Sequence, residues 1–437
     1  MLTLLVAVFM TGCRKDRGAD VNELFRTVPS TASYVIVADL HSIIEKSGSK
    51  VDGDKVLPGP ELEKVLKQGG KSGKSAVAEA FLDGESGIEP SVMVAFADGF
   101  SNYAVGILSS TSRFQEFVTK QNGGEWKEQD GVKYNGIYAI SENRFWVNAS
   151  NRDIDPDKIK EYLALSEKQS FAGSDFASML QDSDRDLTGW CDMGGVMNTA
   201  GVNFQQRAMV KMVSEAMFKD AEFAVFDMQF DKGVLKTEGR LLDSKGKDAK
   251  YLLSSQKVDE KVLDRIGGKG DALFAMAVPQ KLIKQIQDMA SGKMSMVGVV
   301  AGAMGCVDGT VAMAFSEPSA VKGVIQTNGK STSDLMALLQ QTGTEVTKEG
   351  KDLLFSMGEM GGMENVKDMA SMLKGCSMGV VMDASVFQGE QQGMKNMVFR
   401  MVPKSGSMIM ELQMYTQDSG VNFIIAMLKE INRLYAL

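Results

Sequence analysis

Histidine is the residue this chain has least of: His41 stands alone among 437 residues. One imidazole cannot build a His-rich zinc site or a His-paired general acid and base, which removes the commonest metalloenzyme and hydrolase designs. Cysteine is also scarce, with four residues and no pair at CxxC spacing. Positive charge is not in excess. Lys and Arg number 48 against 56 Asp and Glu, giving a net charge of -8 and a pI near 5.1, so there is no basic footprint for nucleic acid. No GxSxG elbow or SxxK nucleophile occurs among the serines. Apolar runs long enough for a multi-span membrane protein are missing too. What is present is 44% hydrophobic residues, 24% charged residues and a mean hydropathy of -0.10, the profile of a globular body. At roughly 150 residues per domain, the length suggests two large domains or three small ones.

The N-terminus carries an address. Met1 to Met10 form an uncharged apolar run, too short to span a bilayer but the right length for the core of a signal peptide. Thr11-Gly12-Cys13 follows and resembles the lipobox of bacterial lipoproteins. That resemblance implies cleavage after residue 12 and acylation of Cys13, a membrane partner through the lipid, and an outer-membrane location facing the periplasm or the surface. Met10 replaces the usual Leu, Val or Ile, and no Lys or Arg precedes the run, which points to a start codon upstream or a slightly truncated chain. Residues 13–22 are read as a flexible lipidated tether. Within it, Arg14-Lys15-Asp16 is similar to the charged export signal of Bacteroidetes surface lipoproteins. With Cys13 acylated, Cys191, Cys306 and Cys376 are left as an odd set, expected as buried free thiols, with a Cys306 to Cys376 disulfide as the alternative.

The body reads as one order of elements used twice. Ser33–Leu40, Ser91–Asp98 and Tyr103–Ser109 have strand composition, and Ser110-Thr111-Ser112 can cap a helix with Phe114, Phe117 and Val118 on one face. A second strand pair is expected at Glu125–Tyr134 and Tyr138–Asn148. Gly309–Ser316, Ala320–Thr327 and the Ser331-Thr332-Ser333 helix start repeat this order. Lys127-Glu128 recurs as Lys348-Glu349 at the spacing that separates Ser110 from Ser331. Ala177-Ser178-Met179-Leu180 likewise recurs as Ala370-Ser371-Met372-Leu373. Each copy then leads into a strand, Leu187–Met193 or Ser377–Asp383, and a helix near Val202 or Gln388. Terminal strands follow at Ala221–Phe230, Gly233–Leu242 and Ser407–Tyr415. The expected fold is α+β: two tandem, internally duplicated domains, 23–250 and 251–437, with mainly antiparallel sheets packed against helices.

Several motifs have a plainer explanation than the chemistry they suggest. Gly69-Gly70-Lys71-Ser72-Gly73-Lys74-Ser75 lacks the first glycine of a phosphate loop, since Gln68 stands there, and it follows a helical pattern at Glu61–Gln68 where a strand is required. Met357, Met360 and Met363 have the MxxMxxM spacing of copper-transporter motifs, and Met369 and Met372 follow; thioethers suit Cu(I). Methionines at Met93, Met313 and Met382 show the same residue filling predicted strands, so core packing is expected and neither metal nor cofactor is assigned. Asp192 and Asp383 end the duplicated strands and are read as turn formers in separate domains; Asp39, beside His41 and Ser42, is read the same way. Trp126, Tyr134, Tyr138 and Trp146 could form a glycan platform, and core filling is the expectation for such residues in strands.

Val28-Pro29-Ser30-Thr31-Ala32 leading into Tyr34-Val35-Ile36-Val37-Ala38-Asp39-Leu40, after the lipobox, resembles the opening of a Bacteroidetes envelope lipoprotein family of unknown function. The resemblance implies an envelope location and a duplicated α+β body, and it transfers no catalytic residue. Two functions follow as expectations: a non-enzymatic module binding an envelope protein or glycan, or a hydrolase of envelope polymers working through Asp and Glu alone.

Overall fold

Alternating apolar residues place most of the described strands of this chain in one antiparallel sheet, beside three two-stranded ribbons. The computed structural model describes residues 17–53, 55–69, 86–195, 217–251, 256–280, 283–284, 287–288, 302–316, 319–386 and 393–436. Its main sheet has 18 strands. In the first half these are β1 (Tyr34–Asp39), β2 (Ile88–Asp98), β3 (Ser101–Leu108), β4 (Lys127–Gln129), β5 (Val132–Asn135), β6 (Tyr138–Ser141), β7 (Arg144–Asn148), β8 (Leu187–Asp192), β9 (Phe223–Asp231) and β10 (Val234–Leu242). The second half supplies β11 (Ala272–Val278), β12 (Val307–Ser316), β13 (Ala320–Thr327), β14 (Glu345–Glu349), β15 (Asp352–Met357), β16 (Met378–Asp383), β17 (Met394–Lys404) and β18 (Ser407–Thr416).

The halves join at β10 and β18, where Val234 to Arg240 pair with Tyr415 to Ile409. Outward from that ladder the order is β10, β9, β8, β1, β2, β3, β7 on one side and β18, β17, β16, β11, β12, β13, β15 on the other. Each strand meets its counterpart in sequence order. The sheet therefore continues without a break across the boundary expected from sequence at residue 250.

Helices cover both faces: α1 (Arg17–Phe25), α2 (Leu40–Lys46), α3 (Pro60–Gly69), α4 (Thr111–Asn122), α5 (Pro156–Leu163), α6 (Ala177–Gln181), α7 (Glu260–Asp264), α8 (Ser333–Gln341), α9 (Val366–Met372) and α10 (Phe423–Ala436). Because side chains alternate across the pleat, each strand feeds two cores. On the front face Val35, Phe96, Val105, Trp146 and Trp190 pack with Val21, Leu24 and Phe25 of α1, while Leu273, Ala275, Val381 and Val398 pack with α7 and α9. On the back face Phe230 and Leu235 pack with α2, α4 and α10 in the first half, and Ile325 and Phe355 pack with α8 in the second. A methionine-rich cluster around Met401, Met408 and Met410 lies between them. Full burial of one such Leu or Phe contributes about 1.5–3 kcal/mol, so these layers dominate the stability of the body.

Ser110 caps α4 as read, its Oγ accepting from the Arg113 N–H at 3.4 Å, with Phe114, Phe117 and Val118 turned inward. Two expectations need correction. The stretch read as a tether is shorter, because α1 starts at Arg17 and buries Val21, Leu24 and Phe25 completely at helical spacing. The two long strands expected over 125–148 are four short ones, β4 to β7, since turns at Asp130-Gly131 and Glu142-Asn143 interrupt them; Asp130 and Glu142 both adopt φ of 51°. Cys306 and Cys376 are buried free thiols as expected, in different cores, so the alternative disulfide is not formed; Cys191 is a free thiol only half-buried. The helices expected near Val202 and Gln388 lie outside the described residues.

Candidate functional site

The residues singled out by sequence do not converge on one place. Asp192 and Asp383 sit in opposite halves, and each closes its own turn, accepting from the Gly194 N–H and the Ser385 N–H respectively at 2.9 Å. Asp39 caps α2 by accepting from the Ser42 N–H at 2.9 Å and lies 3.4 Å from Arg17 Nε. His41 is in the first turn of α2 with Nε2 3.3 Å from Glu45 Oε1. The four aromatics divide between faces: Trp146 and Tyr134 belong to the front core, Trp126 and Tyr138 to the back one. No shared platform results. Met369 is buried and Met360 and Met372 pack on the same core, leaving Met363 exposed by itself. Cys13 and residues 70–75 of the phosphate-loop-like stretch lie outside the described residues.

The structure instead assembles a charged row that the sequence reading missed. On the front face, between the two helix-covered cores, Asp227 of β9 stands opposite Glu238 of β10, Glu238 opposite Glu411 of β18, and Glu411 opposite Arg400 of β17. Arg400 donates from Nε to Glu411 at 3.0 Å and from Nη1 to the Met372 carbonyl at 3.2 Å. Ser183 donates to Asp227 at 3.4 Å, Arg185 bonds Gln229 beside it, and Arg240 donates to Asp248 at 3.1 Å. Burial holds the Asp227 carboxyl above its ordinary pKa, outweighing the pull of Arg185 and Ser183 in the other direction. Glu238 is exposed; Asp227, Arg240, Arg400 and Glu411 are half-buried. Glu238 is its solvent-exposed member, and the row is flanked by buried Val225 on one side and buried Val398 on the other.

This geometry permits two kinds of chemistry. Facing residues on antiparallel neighbours hold their Cβ atoms ~4.5–5.5 Å apart. Carboxylates so placed, flanked by guanidinium groups, can exchange hydrogen bonds with a hydroxyl-rich or mixed-charge ligand. A pair with one member of raised proton affinity also has the minimum parts for acid-base work. Among the described residues no His, Cys, Asp and Glu group of three or more is arranged to hold a metal ion.

A second cluster is structural. Asp186 is fully buried, and its oxygens accept from Lys46 Nζ at 2.8 Å each, Ser42 Oγ at 2.6 Å and the Phe230 N–H at 2.6 Å. It ties α2 to the start of β8 and the end of β9. A small cavity of about 260 Å³ lies at the start of β11, lined by Asp271, Ser316, Gly362, Met363, Ser385 and Val386. Asp271 accepts there from the Met363 N–H at 3.1 Å. No described helix is long and apolar enough to cross a membrane.

No protein-family model matches the sequence, and no curated protein matches it. Among solved structures the chain is similar to crystal forms I and III of TP0453, at 8% identity and TM-scores of 0.30 and 0.29, over 79% of this chain and 95% and 96% of theirs. Form IV of TP0453 aligns at 10% identity and a TM-score of 0.28 over 50% of this chain and 79% of that one.

Proposed function

We propose that this protein is a lipoprotein of the bacterial outer membrane, anchored through Cys13, that works as a non-catalytic binding module for an envelope glycan or protein. The lipobox at Thr11-Gly12-Cys13 supports the anchor. The observation that carries the binding role is the row from Asp227 through Glu238 and Glu411 to Arg400, between the two apolar cores of the front face. On this reading the body arose by duplication, and the ligand meets the seam between the copies. The matching strand order supports the duplication. So do the aromatic rings laid over glycine in both halves, Phe145 on Gly106 in β3 and Phe355 on Gly323 in β13.

The test is saturable binding of the purified chain to a glycan array and to outer-membrane fragments, beside a Glu238→Lys, Arg400→Glu variant. Loss of at least tenfold in apparent affinity in the variant is expected. Equal binding by both proteins, or none by the parent, would sink the reading. A second reading, hydrolysis of envelope polymers, draws on one observation: Asp227 and Glu238 stand opposite each other on neighbouring strands, and glycosidases work through two neighbouring carboxyl groups. Release of reducing ends from peptidoglycan or capsule, abolished by Asp227→Asn, would establish it.

A further inference from the structure

We propose that on a membrane the body stands on the end of the sheet where β1 finishes and β8 begins, with the Asp184-Arg185 turn at the level of the headgroups and the β2–β3 turn held away. The pose rests on the Cys13 anchor proposed above and adds an orientation to it. Only Arg14, Lys15 and Asp16 separate Cys13 from Arg17. A chain spans at most ~3.3–3.6 Å per residue, so the two Cα atoms stay within ~14 Å whatever path the backbone takes.

Arg17 is itself fixed to the fold. Its Nε lies 3.4 Å from Asp39 Oδ2, and its Nη2 donates to the Arg185 carbonyl at 3.4 Å. Behind it, Val21, Leu24 and Phe25 are wholly buried, so α1 cannot lengthen the tether without opening the front core. Acyl chains at Cys13 sit in the bilayer, which brings the Arg17 end to the headgroup layer. The Arg185 side chain, 36% exposed at this end of the sheet, suits phosphate oxygens at that depth.

The far end is set by the sheet. Asp39 pairs with Val92, and β2 runs on from there to Asp98 before the turn that carries Phe100. At ~3.3 Å per residue this places Phe100 ~20 Å farther along the strand direction. Phe100 is 81% exposed, and the Asp184 side chain at the near end is 92% exposed, so both accept a reporter without disturbing the core.

The experiment uses the full acylated chain in phosphatidylcholine–phosphatidylglycerol vesicles containing a headgroup nitroxide lipid, on a Cys191→Ser background. A fluorophore is placed at Asp184→Cys or Phe100→Cys, and N-terminal acylation is checked by mass spectrometry. Quenching at position 184 is expected to exceed that at position 100 at least threefold. Inserting twenty Gly and Ser residues between Asp16 and Arg17, with an r.m.s. reach of ~25 Å, is expected to bring the ratio toward one. An acylated chain quenched equally at both positions, or more at 100, overturns the pose alone. A ratio unmoved by the insertion overturns the tether as its cause. A chain without acyl groups on Cys13 overturns the anchor reading and the pose together.

Discussion

Glu238 and Glu411 face each other across the β10–β18 ladder at the centre of the sheet, two like charges at the seam of the halves. Only Glu411 has its charge answered directly, by Arg400. Like charges opposed in a ladder destabilise by about 0.2–1 kcal/mol. Glu238→Gln is therefore expected to raise the urea midpoint at low ionic strength, and the gain should shrink as salt screens the parent. An unchanged midpoint in 10 mM buffer would contradict this.

Asp227 gives the row a pH signature. Its pKa is raised in the folded state, chiefly by burial, so the folded protein holds this proton more tightly than the unfolded chain does. The associated stabilisation is complete below the ordinary carboxylate pKa and disappears as pH rises through the raised value. Asp227→Asn should be more thermostable than the parent at pH 7, and the difference should close as pH falls into the carboxylate range. Thermal melts of the two proteins across pH 3–8 would check it; a gap that widens in acid has the wrong sign.

The Lys46–Asp186 pair predicts the opposite kind of sensitivity. Asp186 is fully buried while Lys46 is a quarter exposed, so losing the lysine strands a buried carboxylate. Breaking such a pair from one side costs about 3–5 kcal/mol. Lys46→Met is expected near the lower figure in urea unfolding, with the β8–β9 region losing hydrogen-exchange protection first. Asp186→Asn should cost less, because the amide oxygen can still accept from the Phe230 N–H.

Much of the sheet was legible in sequence. Ala320–Thr327 is a strand over the residues expected, and the Leu187, Phe223 and Val234 strands fall within a residue or two of their predicted bounds. Alternation sufficed there because each of those strands presents turn formers at its ends. The row at the seam was illegible for a physical reason: Asp227, Glu238, Arg400 and Glu411 look like ordinary solvent-facing positions until the ladder between strands far apart in sequence brings them together. Asp186 was hidden similarly, since Ser183-Asp184-Arg185-Asp186 reads as a solvated loop, and only the packing of α2 turns its last carboxylate inward. β17 escaped notice because Arg400 and Pro403 interrupt its apolar run.

The glycine–phenylalanine pairs make a steric prediction. A Cβ on Gly323 would lie 2.3 Å from the Phe355 ring, and one on Gly106 would lie 2.6 Å from the Phe145 ring. Gly323→Ala and Gly106→Ala are expected to cost about 1–3 kcal/mol each by overpacking. Trimming the ring, as in Gly323→Ala with Phe355→Leu, should recover part of the loss in thermal melts, whereas additive losses in the double variant would show that the ring is not the obstacle.

The ladder between β10 and β18 also fixes how the chain can be divided. Either half made alone would present a nine- or ten-residue strand with its donors and acceptors unpaired along one side, β10 or β18 respectively. Such an edge is a template for association. Each half should find its missing neighbour in another copy of itself, and co-expressed halves should recombine into one particle, so the seam that hosts the charged row would double as the assembly contact of a split protein.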